Sequence, residues 1–178
     1  MIDYQNKDYK IFDLFRNEWA LVTAGNIDDF NCCTVSWGSM GTLWTRSNNT
    51  GSTITVYLYP TRLTREYMNA NDTFTVSFFS KEYKKALGIL GTKSGRDGNK
   101  IVDSGLTPIS LNGSVGFQEA NMIFTCRKIY GHQMSKEDIA QDVQEYYASN
   151  PKVYPVDENG DWNPHWIFIG EIIDYKER

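Results

Sequence analysis

The sequence predicts a mainly-β, antiparallel architecture with helical insertions, on three observations. Short segments of alternating apolar and polar residues recur along the chain, and they are separated by turns or short helices without a regular β-α-β rhythm. Aromatic residues are abundant, with 11 Tyr, 9 Phe and 5 Trp, and these suit pleated, half-buried surfaces. A chain of 178 residues is most simply one domain, 1–178, and can bury a sizeable core without metals or disulfides.

Residues 8–16 read as a lead-in, and 19–25 as a first strand ending at Gly25. A loop of about five residues, 26–30, turns the chain into a second strand, 31–44. There Cys33, Val35 and Trp37 alternate with Thr34, Ser36 and Gly38, so that one face joins a core and the other offers hydroxyls, backbone and little bulk. Such a face suits a flat polar ligand; it also suits an ordinary half-buried strand with Thr and Ser in water. After a polar loop at 46–52, residues 53–59 alternate again, with Ile54, Val56 and Leu58 on one side. Pro60 stops that strand, and Thr61 or Thr64 can cap a helix running to about Ala70.

Residues 74–79 form the next strand, 81–90 a helix with Gly91 as its C′ residue, and 99–104 a short helix ending at Gly105. The longest strand is expected at 117–130. Ser135 and Asp138 resemble a capping box opening a helix to about Ala148, and the last strand is expected at 165–175. Six or seven strands in this arrangement make an antiparallel barrel or sandwich.

Composition excludes several classes of function. Net charge is −4 with no long run of one sign, so no electrostatic footprint for nucleic acid exists. The polar N-terminus lacks an apolar signal core, and no apolar run of about 18 residues occurs, so a cytoplasmic protein without a membrane segment is expected. Three cysteines, the adjacent Cys32 and Cys33 and the distant Cys126, show no C-x-x-C spacing and suggest neither disulfides nor a zinc site. The two histidines, His132 and His165, lie in no metal-binding spacing and beside no nucleophile motif.

Three places can hold an anion or a polar ring. In the turn Tyr59-Pro60-Thr61-Arg62-Leu63-Thr64, hydroxyls, a guanidinium and a helix N-terminus converge, which is adequate for a phosphate; an ordinary helix start with a solvated Arg fits as well. The loop GTKSGRDGNK carries Lys93, Arg96 and Lys100 but has Thr92 where a P-loop needs glycine before its Lys, so it reads as a basic loop closing over an anion or as a solvated turn. The third is the 31–44 strand, through Thr34, Ser36, Ser39 and Thr42. Cys33 reads as a small core residue rather than a nucleophile. With aromatics, hydroxyls and an anion cradle but no acid–base constellation, the chemistry falls to a bound cofactor.

The segments NCCTVSWGSMGTLW, VYLYPTRLTREYMNANDTFTVSFF, YKKALGILGTKSGRDGNKI, SGLTP and HWIFIGEI, in this order, resemble the flavin reductase-like, FMN-binding split-barrel proteins of the flavoredoxin type. The resemblance runs from about residue 15 to the C-terminus. It implies a six-stranded antiparallel split barrel with added helices, assembled as a homodimer holding FMN non-covalently. It places the isoalloxazine ring against Thr34, Val35, Ser36, Trp37 and Gly38, beside Asn31 and Cys33, with Thr42, Leu43 and Trp44 lining the same pocket. It gives the phosphate to Arg62 and Thr64 with help from Tyr59, closes Lys93 and Ser94 over the flavin, and turns His165 toward the nicotinamide or acceptor. The implied activity passes electrons from NADH or NADPH through FMN to an acceptor; a flavoredoxin-type carrier serving a redox protein partner is the alternative. The chain departs from the family at Cys32-Cys33, where Thr-Met is common, and in a longer polar loop after Trp44.

Overall fold

The computed structural model describes residues 4–47, 50–154 and 156–178. The strands are β1 (Ala20–Asn26), β2 (Asp29–Val35), β3 (Gly38–Thr42), β4 (Ser52–Leu58), β5 (Thr73–Phe78), β6 (Pro108–Leu111), β7 (Ser114–Phe117), β8 (Met122–Gln133) and β9 (Trp166–Glu177). The helices are α1 (Ile11–Asp13), α2 (Leu63–Ala70), α3 (Lys84–Thr92), α4 (Lys100–Ser104) and α5 (Gln141–Ala148). Seven strands form one sheet in the order β2-β1-β5-β8-β9-β4-β3, and β6 and β7 form a separate hairpin. Every pairing in the large sheet is antiparallel. Part of the predicted 46–52 loop, residues 48–49, lies outside the described residues.

The six strands that the resemblance implies become seven because the segment 31–44 is two strands. β2 ends at Val35 and β3 begins at Gly38, and the two lie at opposite ends of the sheet order. Only Ser36 and Trp37 join them, a reach of roughly 10 Å. The two edges of the sheet therefore meet here, and the sheet curls into a barrel. β2 approaches β4 without forming a ladder with it among the described residues, which leaves the barrel split along that seam.

Strand alternation fills two cores. Val22, Cys33, Val56, Phe74, Phe124 and Phe168 point into the barrel, where Phe78 and Phe124 meet edge to face at 6.3 Å. Leu21, Cys32 and Ile123 point outward into a second core closed by Leu87 and Leu90 of α3 and Phe117 of β7. The outer face of β2 is thus covered by a helix, where the sequence suggested an open hydroxyl face.

Local chemistry corrects several expected boundaries. The β1–β2 loop is two residues long, because Asn26 Oδ1 accepts from the backbone N–H of Asp28 and Asp29 at 3.0 and 3.2 Å and closes a tight turn. The expected 117–130 strand is β7 and β8, which break between Phe117 and Met122. Ser135 gives no side-chain cap; a 3-10 turn at Lys136–Asp138 precedes α5. Gly91 is not a C′ residue, since α3 runs on to Thr92. A Cβ at Gly91 would sit 3.1 Å from Thr34 Cβ, so glycine permits α3 to lie close on β2. Asn99 does cap α4, accepting from Val102 N–H at 3.2 Å, and Gly105 ends it with φ of 72°.

Between β8 and β9, Glu171 is buried and holds two guanidiniums, Arg127 at 2.6 Å and Arg46. Burial acts to raise its pKa, but Arg127 and Arg46 outweigh this and hold the carboxyl below the usual range. A depressed carboxylate stabilises the fold above its unfolded pKa, and that contribution is lost as pH falls through the acidic range below it. Glu171→Gln is expected to cost about 1.5–3 kcal/mol at neutral pH, read from the urea midpoint, with the difference shrinking in acid.

Candidate functional site

The site follows the split seam. A cavity of about 240 Å³ is lined by Cys33, Thr34, Val35, Ser36 and Trp37 on one side and Tyr57, Leu58 and Tyr59 on the other, with Arg62 and His165. β2 is an edge strand here, so alternate residues direct backbone N–H and C=O away from β1 into the seam. The Cys32 carbonyl is one such group, because Lys100 Nζ donates to it at 2.5 Å. Thr34, two residues on, therefore presents its backbone pair to the same edge. Its side chain does not: Thr34 Oγ1 donates to the Leu87 carbonyl at 2.6 Å. The Thr34 hydroxyl, expected to meet a ligand, is spent on α3, while Ser36 still lines the cleft. Gly38 has a related role, since a Cβ there would fall 2.2 Å from the Phe15 ring.

Through Tyr59 and Arg62 this cleft joins a second cavity, about 400 Å³, lined also by Thr61, Thr64, Thr92, Lys93, Ser94, Gly95 and Lys100. The end of β4, the start of α2 and the 93–100 loop thus converge. The Arg62 backbone forms the N-cap of α2 without a side-chain cap bond, and Thr64 lies inside the helix rather than capping it. Thr64 is 1% exposed, and its Oγ1 faces the buried Cys33 thiol as its side-chain neighbour.

The charges tell the same story. Lys93 pairs with Asp103 at 2.8 Å, and Arg96 pairs with Glu66. Arg62 and Lys100 have no carboxylate partner among the described residues. Lys100 is 5% exposed, spends its ammonium on the Cys32 and Lys93 carbonyls, and has its pKa lowered by burial. Two cations without a carboxylate partner among the described residues, one of them buried, beside a helix N-terminus and the Thr64 and Ser94 hydroxyls make a cradle suited to a phosphate. Cys33, 1% exposed with its thiol raised by burial, stays neutral beside this cradle.

At the other end, Ser36, Trp37, Tyr57 and His165 also line a third cavity of about 490 Å³. His165 lies just before β9 and is held in an aromatic cage, 4.2 Å from Tyr59 and 4.5 Å from Trp37 between ring centres. Its Nδ1 shares a hydrogen bond with the Tyr154 phenol, whose pKa burial raises. Burial, and then the Arg62 charge, push the His165 pKa down to about 4. The imidazole is therefore neutral at pH 7, and with the phenol donating to Nδ1 its proton sits on Nε2. The ring's NMR resonances are expected to stay flat from pH 8 to 5.5 and to titrate near 4; a midpoint near 6.5 would contradict this environment. Because the unfolded chain binds a proton at higher pH, the contribution to stability declines as pH falls from about 6.5 toward 4.

Not every candidate reaches the seam. Asn31 is buried, its Oδ1 accepts from Cys32 N–H at 2.7 Å, and its amide packs against Gly95, so it supports the loop from beneath. Thr42 lies at the far end of β3 against a different cavity beside the N-terminal segment, and Leu43 and Trp44, which follow it, line neither cavity of the seam. Tyr57 and Tyr154 join the site although the sequence did not point to them, and Lys100, expected only as one cation of a loop that closes over an anion or is solvated, joins it as a buried residue. Lys100 stood in a basic loop, but its burial depends on α4 folding back under β2.

A protein-family model described as the flavin reductase like domain matches residues 12–178, and the chain belongs to that family. A search of curated protein sequences found no match. Among solved structures, the chain is similar to flavoredoxin from Methanosarcina acetivorans, at TM-score 0.63 and 18% identity over 90% of this chain and 68% of that one. It is similar to an FMN-binding domain of a flavin reductase-like enzyme from Shewanella baltica OS155, at TM-score 0.60 and 16% identity over 93% and 71%. It also resembles an NADH:FAD oxidoreductase from Streptomyces globisporus C-1027, at TM-score 0.63 and 13% identity over 90% and 75%. These likenesses establish the fold. No described helix is long and apolar enough to cross a membrane.

Proposed function

We propose that this chain is a single flavin reductase-like domain that binds FMN along the split seam and passes electrons from reduced nicotinamide to an acceptor. The observation that carries the proposal is the continuity of a cationic cradle, at Arg62 and Lys100 beside Thr64, with a cleft bordered by the open edge of β2. In this reading Arg62, Lys100, Thr64 and Ser94 hold the phosphate, the Thr34 backbone pair meets the polar edge of the ring, and Trp37 and Tyr59 flank it. Bound FMN supplies hydride and single-electron chemistry that no side chain offers. The protein orients the ring, limits water, and keeps a neutral His165 as a hydrogen-bond donor on the acceptor side.

The reading includes a homodimer, as the family resemblance implies. Three buried free thiols, Cys32, Cys33 and Cys126, support a reducing, cytoplasmic location. Anaerobic addition of NADH, then NADPH, to FMN-loaded protein tests the donor. Bleaching by either is expected. If colour persists until a reduced protein partner is supplied, the flavoredoxin-type carrier, favoured by the likeness to a flavoredoxin, replaces the nicotinamide-dependent enzyme.

A further inference from the structure

We propose that the third cavity, beyond His165, binds a small, uncharged ring compound that is mostly apolar and carries one hydrogen-bond acceptor. The proposal deepens the flavin reading, on which it rests only for identifying this as the substrate side of the cleft. The binding itself does not depend on flavin.

The cavity is about 490 Å³, within the range of small-molecule sites. Its walls come from three separate parts of the chain: the N-terminal segment with Ile11 and Phe15, the β2–β3 junction with Trp37, and the excursion between β8 and β9 with Met134, Val143 and Trp162. That excursion builds its own aromatic support. Tyr147 lies 4.8 Å from Tyr154 and 5.7 Å from Trp162, and Tyr154 and Trp162 are themselves buried. Rings packed edge to face in this way form an apolar wall.

Charge narrows the ligand further. Among the described residues no carboxylate lines the cavity, and Arg16 is the one charged lining residue, with its side chain exposed. A cation would find no carboxylate, and the Trp162 ring already has the Lys136 ammonium over it at 5.0 Å, while an anion would meet Arg16 only where solvent screens it. The polar groups at the cleft end, Ser36 and the neutral His165, suit a single carbonyl or hydroxyl oxygen. Leaving so large an apolar space to water forfeits dispersion contacts that a ring would recover.

The test is calorimetric titration of the FMN-treated protein with acetophenone, benzoate and benzylamine, repeated on Val143→Trp, which fills the cavity from α5. Acetophenone is expected to bind with Kd below about 1 mM, with both charged analogues weaker by about tenfold or more. Val143→Trp should weaken acetophenone by about tenfold while leaving FMN uptake unchanged. Should Val143→Trp fail to fold by circular dichroism, Ile139→Trp takes its place. No acetophenone binding, equal binding in the filled variant, or equal or tighter binding of a charged analogue would each overturn the proposal. Acetophenone binding that the filled variant abolishes, in protein that takes up no FMN, would uphold the cavity and remove the flavin reading instead.

Discussion

Arg62→Ala is expected to lower FMN affinity by roughly 10- to 100-fold, the worth of a charged hydrogen bond in a partly desolvated site. Riboflavin affinity should change little, because the loss falls on the phosphate. Arg62 lines both the cleft and the cradle and has no carboxylate partner among the described residues, so its charge is available to a ligand. Arg16→Ala, in the neighbouring cavity, should retain FMN as the wild type does. Fluorescence titration with both flavins gives the answer. Equal retention of FMN in the two variants, or equal loss of FMN and riboflavin in Arg62→Ala, would remove Arg62 from the phosphate site.

Phe74→Ala is expected to be the most damaging of the substitutions for stability, at about 3–5 kcal/mol. Phe74 is 1% exposed at the centre of the barrel, between β1 and β8 in the sheet order. Its ring lies so close to β9 that a Cβ at Gly170 would be 2.4 Å from it. The opposing strand has no side chain at that point to swing into the gap, so the cavity left by alanine stays largely open. A urea midpoint shifted by less than about 1 kcal/mol would show that the barrel interior repacks around the loss.

How much of this was legible beforehand depended on whether the signal was local. Alternation at Ile54, Val56 and Leu58 identified β4 and its inward face, because burial on one side of a strand imposes period two. The same rule misled at residues 31–44. Both faces of β2 are buried, one in the barrel and one beneath α3, and the strand ends at Val35 without a glycine or proline to mark it. The break at Ser36 and Trp37 is a consequence of barrel closure, a long-range event. The Thr34 hydroxyl was assigned to a ligand for the same reason, since its partner, the Leu87 carbonyl, is 53 residues away.

The anion cradle was readable as a composition of Arg, Thr, Lys and Ser in two short motifs, and the structure brings Arg62, Thr64, Lys93 and Ser94 together around one cavity. What the sequence did not show was which cations are already neutralised. Lys93 and Arg96 have carboxylate partners from α4 and α2, while Lys100 is buried without one. The aromatic lid over His165 was equally hidden, because Tyr147, Tyr154 and Trp162 come together only when the excursion between β8 and β9 folds over the seam.

The measurement that bears most directly on the flavin reading is the visible spectrum of the protein after incubation with FMN and removal of free flavin by gel filtration. Flavin absorbance co-eluting with the protein in about equimolar amount is the predicted result. A colourless protein that also leaves FMN fluorescence unquenched in titration would contradict it, and would make the open edge of β2 and the cationic cradle features of a barrel that serves some other ligand.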